Sequence, residues 1–365
     1  MTAGMAIAEV LPPFWDPEHD EVLVCRAVRR QTHDVMTFIL TAPQPRRFRY
    51  RPGQFMTFTV VIGGVAHHRC YTLSSSPSRP DAVAITVKRV PGGPVSNWLH
   101  DHFRPGMEIA SLGPAGDFVL DEPRDGAAEK YLFLSAGSGI TPVMSMARHR
   151  VDTCFDVDAV FLHAARSPDD LIFARELAWM ESQAPSLRVR TICEHDTPWR
   201  RWAGAMGRID AALLAREVPD LLERRWFVCG PEGYRRAVRG LAAQSGLDMT
   251  RFHEESFDFG ELLAQEAELP DPDAASGAVE YTVSFTRSRR EIVCGTDTPV
   301  LSAARAAGMR LPASCARGMC GTCKCKLLSG TVEMQHDGGI RQREIDQGMI
   351  LICCARPTSD LVIER

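Results

Sequence analysis

Cys315, Cys320 and Cys323 put three thiols on one short loop, and Cys353 adds a fourth from a distant segment. Four thiolates at this unequal spacing can hold a two-iron, two-sulfide cluster, a one-electron carrier. The loop is built of small residues (Ala313, Ser314, Ala316, Gly318, Gly321, Thr322), which let backbone N–H groups approach the sulfides and offset the cluster's negative charge. Tetrahedral zinc is the competing occupant. Zinc sites, however, usually pair two Cys-x-x-Cys knuckles, and here one loop supplies three ligands. Cys325 and Cys354 flank the set, Cys325 on the expected outgoing strand.

Other segments suit phosphate and planar rings. Arg69-Cys70-Tyr71-Thr72-Leu73-Ser74 closes a strand with a guanidinium that matches a phosphate and an aromatic face that can lie on a flat ring. In Val87-Lys88-Arg89-Val90-Pro91-Gly92-Gly93-Pro94-Val95-Ser96, a strand ends in a Gly-rich turn that opens a helix. The free N–H groups there, with the Ser96 hydroxyl, suit a phosphate, although Ser96 or Asn97 would serve equally as an ordinary helix cap. A later strand runs into Ser135-Ala136-Gly137-Ser138-Gly139-Ile140-Thr141-Pro142, whose glycines let a dinucleotide approach the carboxyl edge of a parallel sheet. Taken alone, each is also a plain strand-to-helix turn.

The elements that must position these residues are legible in the patterning. After a proline-rich arm over residues 1–20, expected to pack through Phe14 and Trp15, residues 21–127 show short alternating runs between Gly and Pro turns, which predict an antiparallel β-barrel. Residues 128–258 alternate apolar strands with helix-length segments, which predicts an α/β domain with a parallel sheet. Residues 259–278, rich in Glu, Asp, Pro and Ala, read as a linker, and 279–365 form one small module. A chain of 365 residues, 45% hydrophobic and 24% charged, is long enough for several cores. Its net charge of −4 offers no general attraction for nucleic acid. With no basic stretch leading into an apolar run and no span of about 18 apolar residues, neither a membrane segment nor a secretion signal is expected. Twelve cysteines then point to a reducing, cytoplasmic setting in which thiols act as ligands.

The Arg69 to Ser74 segment resembles the flavin motif of the ferredoxin-NADP⁺ reductase superfamily. The resemblance implies that Arg69 pairs with flavin phosphate, Tyr71 lies against the isoalloxazine ring, Thr72 bonds its edge, and the turn over Val87, Lys88, Gly93, Val95 and Ser96 holds the FAD pyrophosphate. The Gly137, Gly139, Thr141 and Pro142 segment, with Cys229-Gly230-Pro231 at a later strand end, resembles that superfamily's nicotinamide signature. By the same likeness Cys229 lies near the nicotinamide, Glu255 near the hydride-transfer site and Phe257 over the flavin. Residues 351–360 resemble the end of plant-type ferredoxins, an alignment that makes Cys353 the ligand and Cys354 a buried apolar residue on the opposite strand face. A β-grasp ferredoxin fold is implied. His67 and His68 read as hydrogen-bonding residues, because hydride transfer to flavin needs no strong general base.

Flavin barrel, nicotinamide domain and [2Fe–2S] ferredoxin domain together resemble electron-transfer reductases, most of all the reductase subunits of Rieske-type monooxygenases for quaternary ammonium compounds. The chain is also similar to the reductase of the hybrid-cluster protein. The resemblance implies that NADH reduces FAD and that FAD feeds the cluster, which delivers electrons singly to a Rieske-type oxygenase partner. Docking is expected near Arg317 and Met319, with Lys324, Lys326, Arg341 and Arg343 around the site. Arg166 is the one candidate for a 2′-phosphate, but Asp169 and Asp170 beside it favour NADH over NADPH.

Overall fold

The computed structural model describes residues 11–121, 129–153, 157–257, 279–309, 311, 318 and 321–365. The expected linker over 259–278 and the expected ligands Cys315 and Cys320 lie outside these residues, as do Arg317 and Met319.

Six antiparallel strands build the first sheet: β1 (Val22–Arg30), β2 (Val35–Thr41), β3 (Phe55–Ile62), β4 (Val65–Thr72), β5 (Val83–Lys88) and β6 (Glu108–Ala115), in the order β4-β3-β6-β1-β2-β5. A bridge between Leu73 and Ile85 joins the two ends and closes the ring. The alternating apolar runs face inward, so Phe38 and Phe58 are fully buried with Leu40, Ile85 and Leu99. Each phenylalanine contributes about 2–3 kcal/mol relative to exposure. Helix α1 (Pro94–His102) covers the barrel with Val95 and Leu99. The arm docks as its aromatics predict: Trp15 stacks on Phe48 at 5.5 Å and donates to the Gly113 carbonyl, while Phe14 lies under the Arg47 and Arg49 guanidiniums.

The second sheet is wholly parallel: β7 (Tyr131–Ala136), β8 (Ala159–Ala165), β9 (Leu187–Cys193), β10 (Ala205–Met206), β11 (Arg225–Cys229) and β12 (Phe252–Glu255), ordered β10-β9-β8-β7-β11-β12. Alternate residues of β7 serve opposite faces. Tyr131 and Phe133 pack with helices α2 (Ile140–Thr153) and α3 (Ala174–Gln183), and Leu132 and Leu134 with α4 (Ala211–Glu217) and α5 (Glu232–Gln244). The chain reverses its direction across the sheet between β7 and β11, the switch point where open α/β sheets bind ligands.

The third unit contains β13 (Glu280–Phe285), β14 (Arg290–Gly295), helix α6 (Val300–Ala306), β15 (Lys324–Ser329), β16 (Val332–Met334), helix α7 (Gln342–Asp346), β17 (Met349–Leu351), β18 (Ala355–Pro357) and β19 (Leu361–Glu364). Its main sheet runs β14-β13-β19-β15-β17 with β13 and β19 parallel, and α6 buries Val300, Leu301 and Ala304 against it in a β-grasp. Cys353 and Cys354 sit in the turn between β17 and β18, so the strand-face placement expected for Cys354 is corrected. It is half-buried, and its N–H donates to Leu351 across the turn at 3.1 Å. Among the described residues, no helix is long and apolar enough to cross a membrane.

Candidate functional site

A cleft of about 720 Å³ opens between the barrel and the carboxyl edge of the parallel sheet. Its volume falls within the range of sites that enclose a cofactor. Arg69 and Tyr71 reach it together because residues two apart on β4 share a face. Thr72, Val87 and Lys88 complete that wall. Arg69 donates to the carbonyl of His68 at 2.7 Å and meets no carboxylate among the described residues, so its charge is available to an anion. Burial pushes the Tyr71 phenol well above its ordinary range, keeping a neutral ring at the wall.

The N-terminal turn of α1 forms the next side, with Gly93, Val95 and Ser96 at the cleft. Gly93 is the N-cap and no side chain caps the helix, so neither Ser96 nor Asn97 plays that part. The Ser96 hydroxyl instead accepts from Val90 N–H at 3.1 Å and donates to Gly93 at 3.3 Å, which tightens the turn. The N–H groups of the helix start thus remain without a side-chain cap. Ser74 is corrected: it lies fully buried behind the wall, bonded to Thr86 Oγ1 at 2.9 Å and to the Ala84 carbonyl. It braces β4 against β5.

Across the cleft, Ser138 and Thr141 come from the turn after β7, and Glu255 and Phe257 from the end of β12. Gly137 adopts a φ of 54°, a left-handed conformation that glycine tolerates. Gly139 packs so closely on β11 that a Cβ there would lie 2.4 Å from the Cys229 carbonyl oxygen. Gly137, Gly139, Pro142, Cys229, Gly230 and Pro231 therefore shape the sheet edge beside the cleft and do not line it. Cys229 is paired in register with Ser135 on one side and Glu255 on the other, and burial pushes its thiol far up, so it stays neutral. Glu255 Oε2 is out of solvent without a hydrogen-bond partner, and loss of water pushes the carboxyl up to about 8. An unpartnered acid on β12, one strand from the switch point, fits a polar ligand group at this edge.

Arg166 is spoken for. It is paired with Asp170 at 2.9 Å and approaches Asp34 of the barrel at 4.0 Å. Sequence reasoning missed Arg235, which lies buried on α5 and donates to the Gly230 carbonyl at 3.2 Å and to Ser256 Oγ at 3.0 Å, tying together the two strand ends that carry Cys229 and Glu255. It also missed Asp337 of the third unit, which lines the cleft from far along the chain, a contact without any local signal. His68 bonds Thr59 Oγ1 at 2.8 Å, as expected of a hydrogen-bonding residue.

In the third unit Cys323 and Cys353 are buried, and Cys353 Sγ accepts the Gly318 N–H at 3.2 Å. Backbone N–H donation to sulfur is the environment a cluster thiolate needs. Cys325 faces the core on β15 beside Ile350. Of the basic ring expected around an external docking site, Arg341 is buried, and the others are partly exposed with partners of their own. Lys324 pairs with Glu344 at 2.7 Å and Lys326 bonds the Gln347 carbonyl, while Arg341 and Arg343 turn to the barrel, where Arg343 pairs with Glu21.

A flavin-type barrel, a nicotinamide-type sheet and a thiolate-bearing β-grasp meeting at one cleft define an electron-transfer flavin reductase with its own iron–sulfur carrier. Family models agree along the chain: an oxidoreductase FAD-binding domain matches residues 24–120, an oxidoreductase NAD-binding domain 133–240 and a 2Fe-2S iron-sulfur cluster binding domain 284–358. The glycine betaine monooxygenase reductase subunit of Pseudomonas aeruginosa is 44% identical over 93% of this chain and 94% of its own. The stachydrine N-demethylase reductase subunit of Rhizobium meliloti is 37% identical over 96% and 98%. Among solved structures, phthalate dioxygenase reductase, described as a modular structure for electron transfer from pyridine nucleotides to [2Fe-2S], aligns with a TM-score of 0.56 at 25% identity, covering 96% of this chain and all of that one. The chain belongs to the family of oxygenase reductase subunits that join FAD-, NAD- and [2Fe–2S]-binding domains. It is an NAD(P)H-dependent oxidoreductase serving an oxygenase component.

Proposed function

We propose that the chain feeds a Rieske-type oxygenase that demethylates or hydroxylates a quaternary ammonium compound such as glycine betaine, with NADH as donor. The observation that carries this reading is the 44% identity to a glycine betaine monooxygenase reductase subunit across all three units. When bound, FAD and the cluster convert a two-electron hydride into single electrons. The protein supplies binding, orientation and charge. Arg69 and the α1 N-terminus hold the flavin phosphates, Tyr71 and Phe257 bracket its ring, and Thr72 meets its edge. Gly137 and Gly139 let the nicotinamide cofactor approach, Thr141 and Glu255 contact it, and neutral Cys229 fixes its position. Cys315, Cys320, Cys323 and Cys353 ligate the cluster. Arg166 sits between Asp170 and Asp34, carboxylates that would repel a 2′-phosphate, which favours NADH.

Reconstitution tests the reading. Purified holoprotein, a Rieske-type oxygenase and glycine betaine are expected to release formaldehyde with NADH consumption, and kcat/KM is expected to be higher for NADH than for NADPH. Rapid ferricyanide reduction without product from any quaternary ammonium substrate would count against the proposed partner class.

A further inference from the structure

Residues 337–344 of the third unit reach the barrel and the N-terminal arm, and each part of the segment has a different task. Asp337 enters the flavin-type cleft. Gly338 packs against β6 so closely that a Cβ would lie 2.8 Å from the Ala115 Cβ. Gly339 N–H donates to the Gly318 carbonyl at 2.8 Å, and Gly318 in turn donates to Cys353 Sγ at 3.2 Å. Arg341, only 8% exposed, extends its fork into the barrel. Its Nε donates to the Pro17 carbonyl at 2.5 Å and its Nη2 to Ser111 at 3.1 Å and Asp20 at 3.4 Å, with Glu21 3.6 Å away as counter-charge. Glu18 accepts the N–H groups of Gln342 and Arg343 at 3.1 and 3.4 Å. Glu344 accepts the Arg341 N–H at 2.8 Å and pairs with Lys324, the residue after Cys323.

We infer that Arg341 is a positioning residue for electron transfer, holding Gly318, Cys323 and Cys353 in a fixed place relative to the flavin cleft. The inference rests on the reading that electrons pass from flavin to cluster within this chain. Each such step removes one electron from the reduced flavin and converts one ferric ion to ferrous, and no bond in the protein changes. Transfer rates fall steeply with distance, so an anchor that reaches two carbonyls of the arm and one of the barrel, while its neighbours bond Gly318 and Lys324, sets that rate. Only a planar, multiply donating guanidinium reaches all three carbonyls at once. The arm that accepts it, Pro17 to Glu21, thereby serves both units.

Anaerobic stopped-flow mixing of holoprotein with NADH separates the steps. In Arg341→Ala, flavin reduction and steady-state ferricyanide reduction are expected at wild-type rates, whereas cluster reduction slows by roughly tenfold or more. Arg341→Lys is expected to recover part of the rate, and Glu18→Gln to lose a smaller part. Amide hydrogen exchange supplies a readout independent of turnover: residues 16–21 and 341–346 gain exchange in Arg341→Ala, while the barrel strands do not. EPR of dithionite-reduced protein confirms the cluster is intact. Cluster reduction at the wild-type rate in Arg341→Ala, with or without raised exchange, overturns the inference. If that variant does not fold, equal cluster-reduction rates in Arg341→Lys, Glu18→Gln and wild type overturn it. A wild-type cluster that never accepts electrons from the flavin removes the underlying reading instead, a result distinct from both.

Discussion

Replacing Cys353 by serine is expected to abolish electron delivery to the oxygenase while sparing NADH oxidation by ferricyanide. Cys353 is buried, comes from a turn remote from the cluster loop in sequence, and accepts a backbone N–H at 3.2 Å. A serine oxygen is a harder ligand on a shorter bond and binds the proton more tightly than sulfur does. Loss of one of four ligands should exceed the roughly 10–100-fold effects of outer-shell changes at metal sites. The flavin cleft draws none of its walls from the Cys353 turn, so FAD and NADH binding persist. Iron content, the reduced-cluster EPR signal, ferricyanide reduction and oxygenase turnover measured on one preparation check the split. Oxygenase turnover near the wild-type level would refute the relay.

Glu255→Gln is expected to remove a pH dependence from both stability and hydride transfer. Burial lifts the Glu255 carboxyl from its ordinary 4.5 to about 8. Between those values the folded protein holds a proton that the unfolded chain has released, so stability falls as pH rises through the window and levels off above it. The full span is on the order of 5 kcal/mol. Glutamine carries no such proton, and its melting temperature should lack that slope. Above about pH 8 the ionised Glu255 of the wild type opposes the negative charge delivered with the hydride, so flavin reduction by NADH should slow there and stay level in Glu255→Gln. Identical pH profiles for the two proteins in both melting and flavin reduction would show that Glu255 does not titrate at the site.

Local pattern carried most of the architecture. Alternation in β2 and β3 foretold a barrel, and it also put Arg69 and Tyr71 on one face of β4. Apolar runs followed by glycine turns foretold the parallel sheet, whereas the packing of Gly139 on the Cys229 backbone had no local signal. Ser74 was expected at the flavin because it closes the same motif, yet it lies past the end of β4, where the chain bridges to β5 and turns its hydroxyl onto Thr86. Contacts between units had no such signal. Arg341 and Arg343 read as surface charge because nothing in their neighbourhood encodes the distant carbonyls and carboxylates of Pro17 to Glu21. Asp337 was invisible for the same reason. Arg235 is the intermediate case: a cation shortly after Cys229-Gly230-Pro231 in an otherwise amphipathic helix was a clue in the sequence itself.

Electrons are expected to follow a linear path, nicotinamide to flavin to cluster to oxygenase. Rapid-freeze EPR with stopped-flow absorbance tests it most directly when holoprotein is mixed anaerobically with NADH. Flavin absorbance is expected to bleach in a phase that depends on NADH concentration, the reduced-cluster signal to follow in a later phase that does not, and added oxygenase to drain the cluster signal first. Reduction of the cluster in protein stripped of FAD, or oxygenase reduction that precedes any cluster signal, would contradict it.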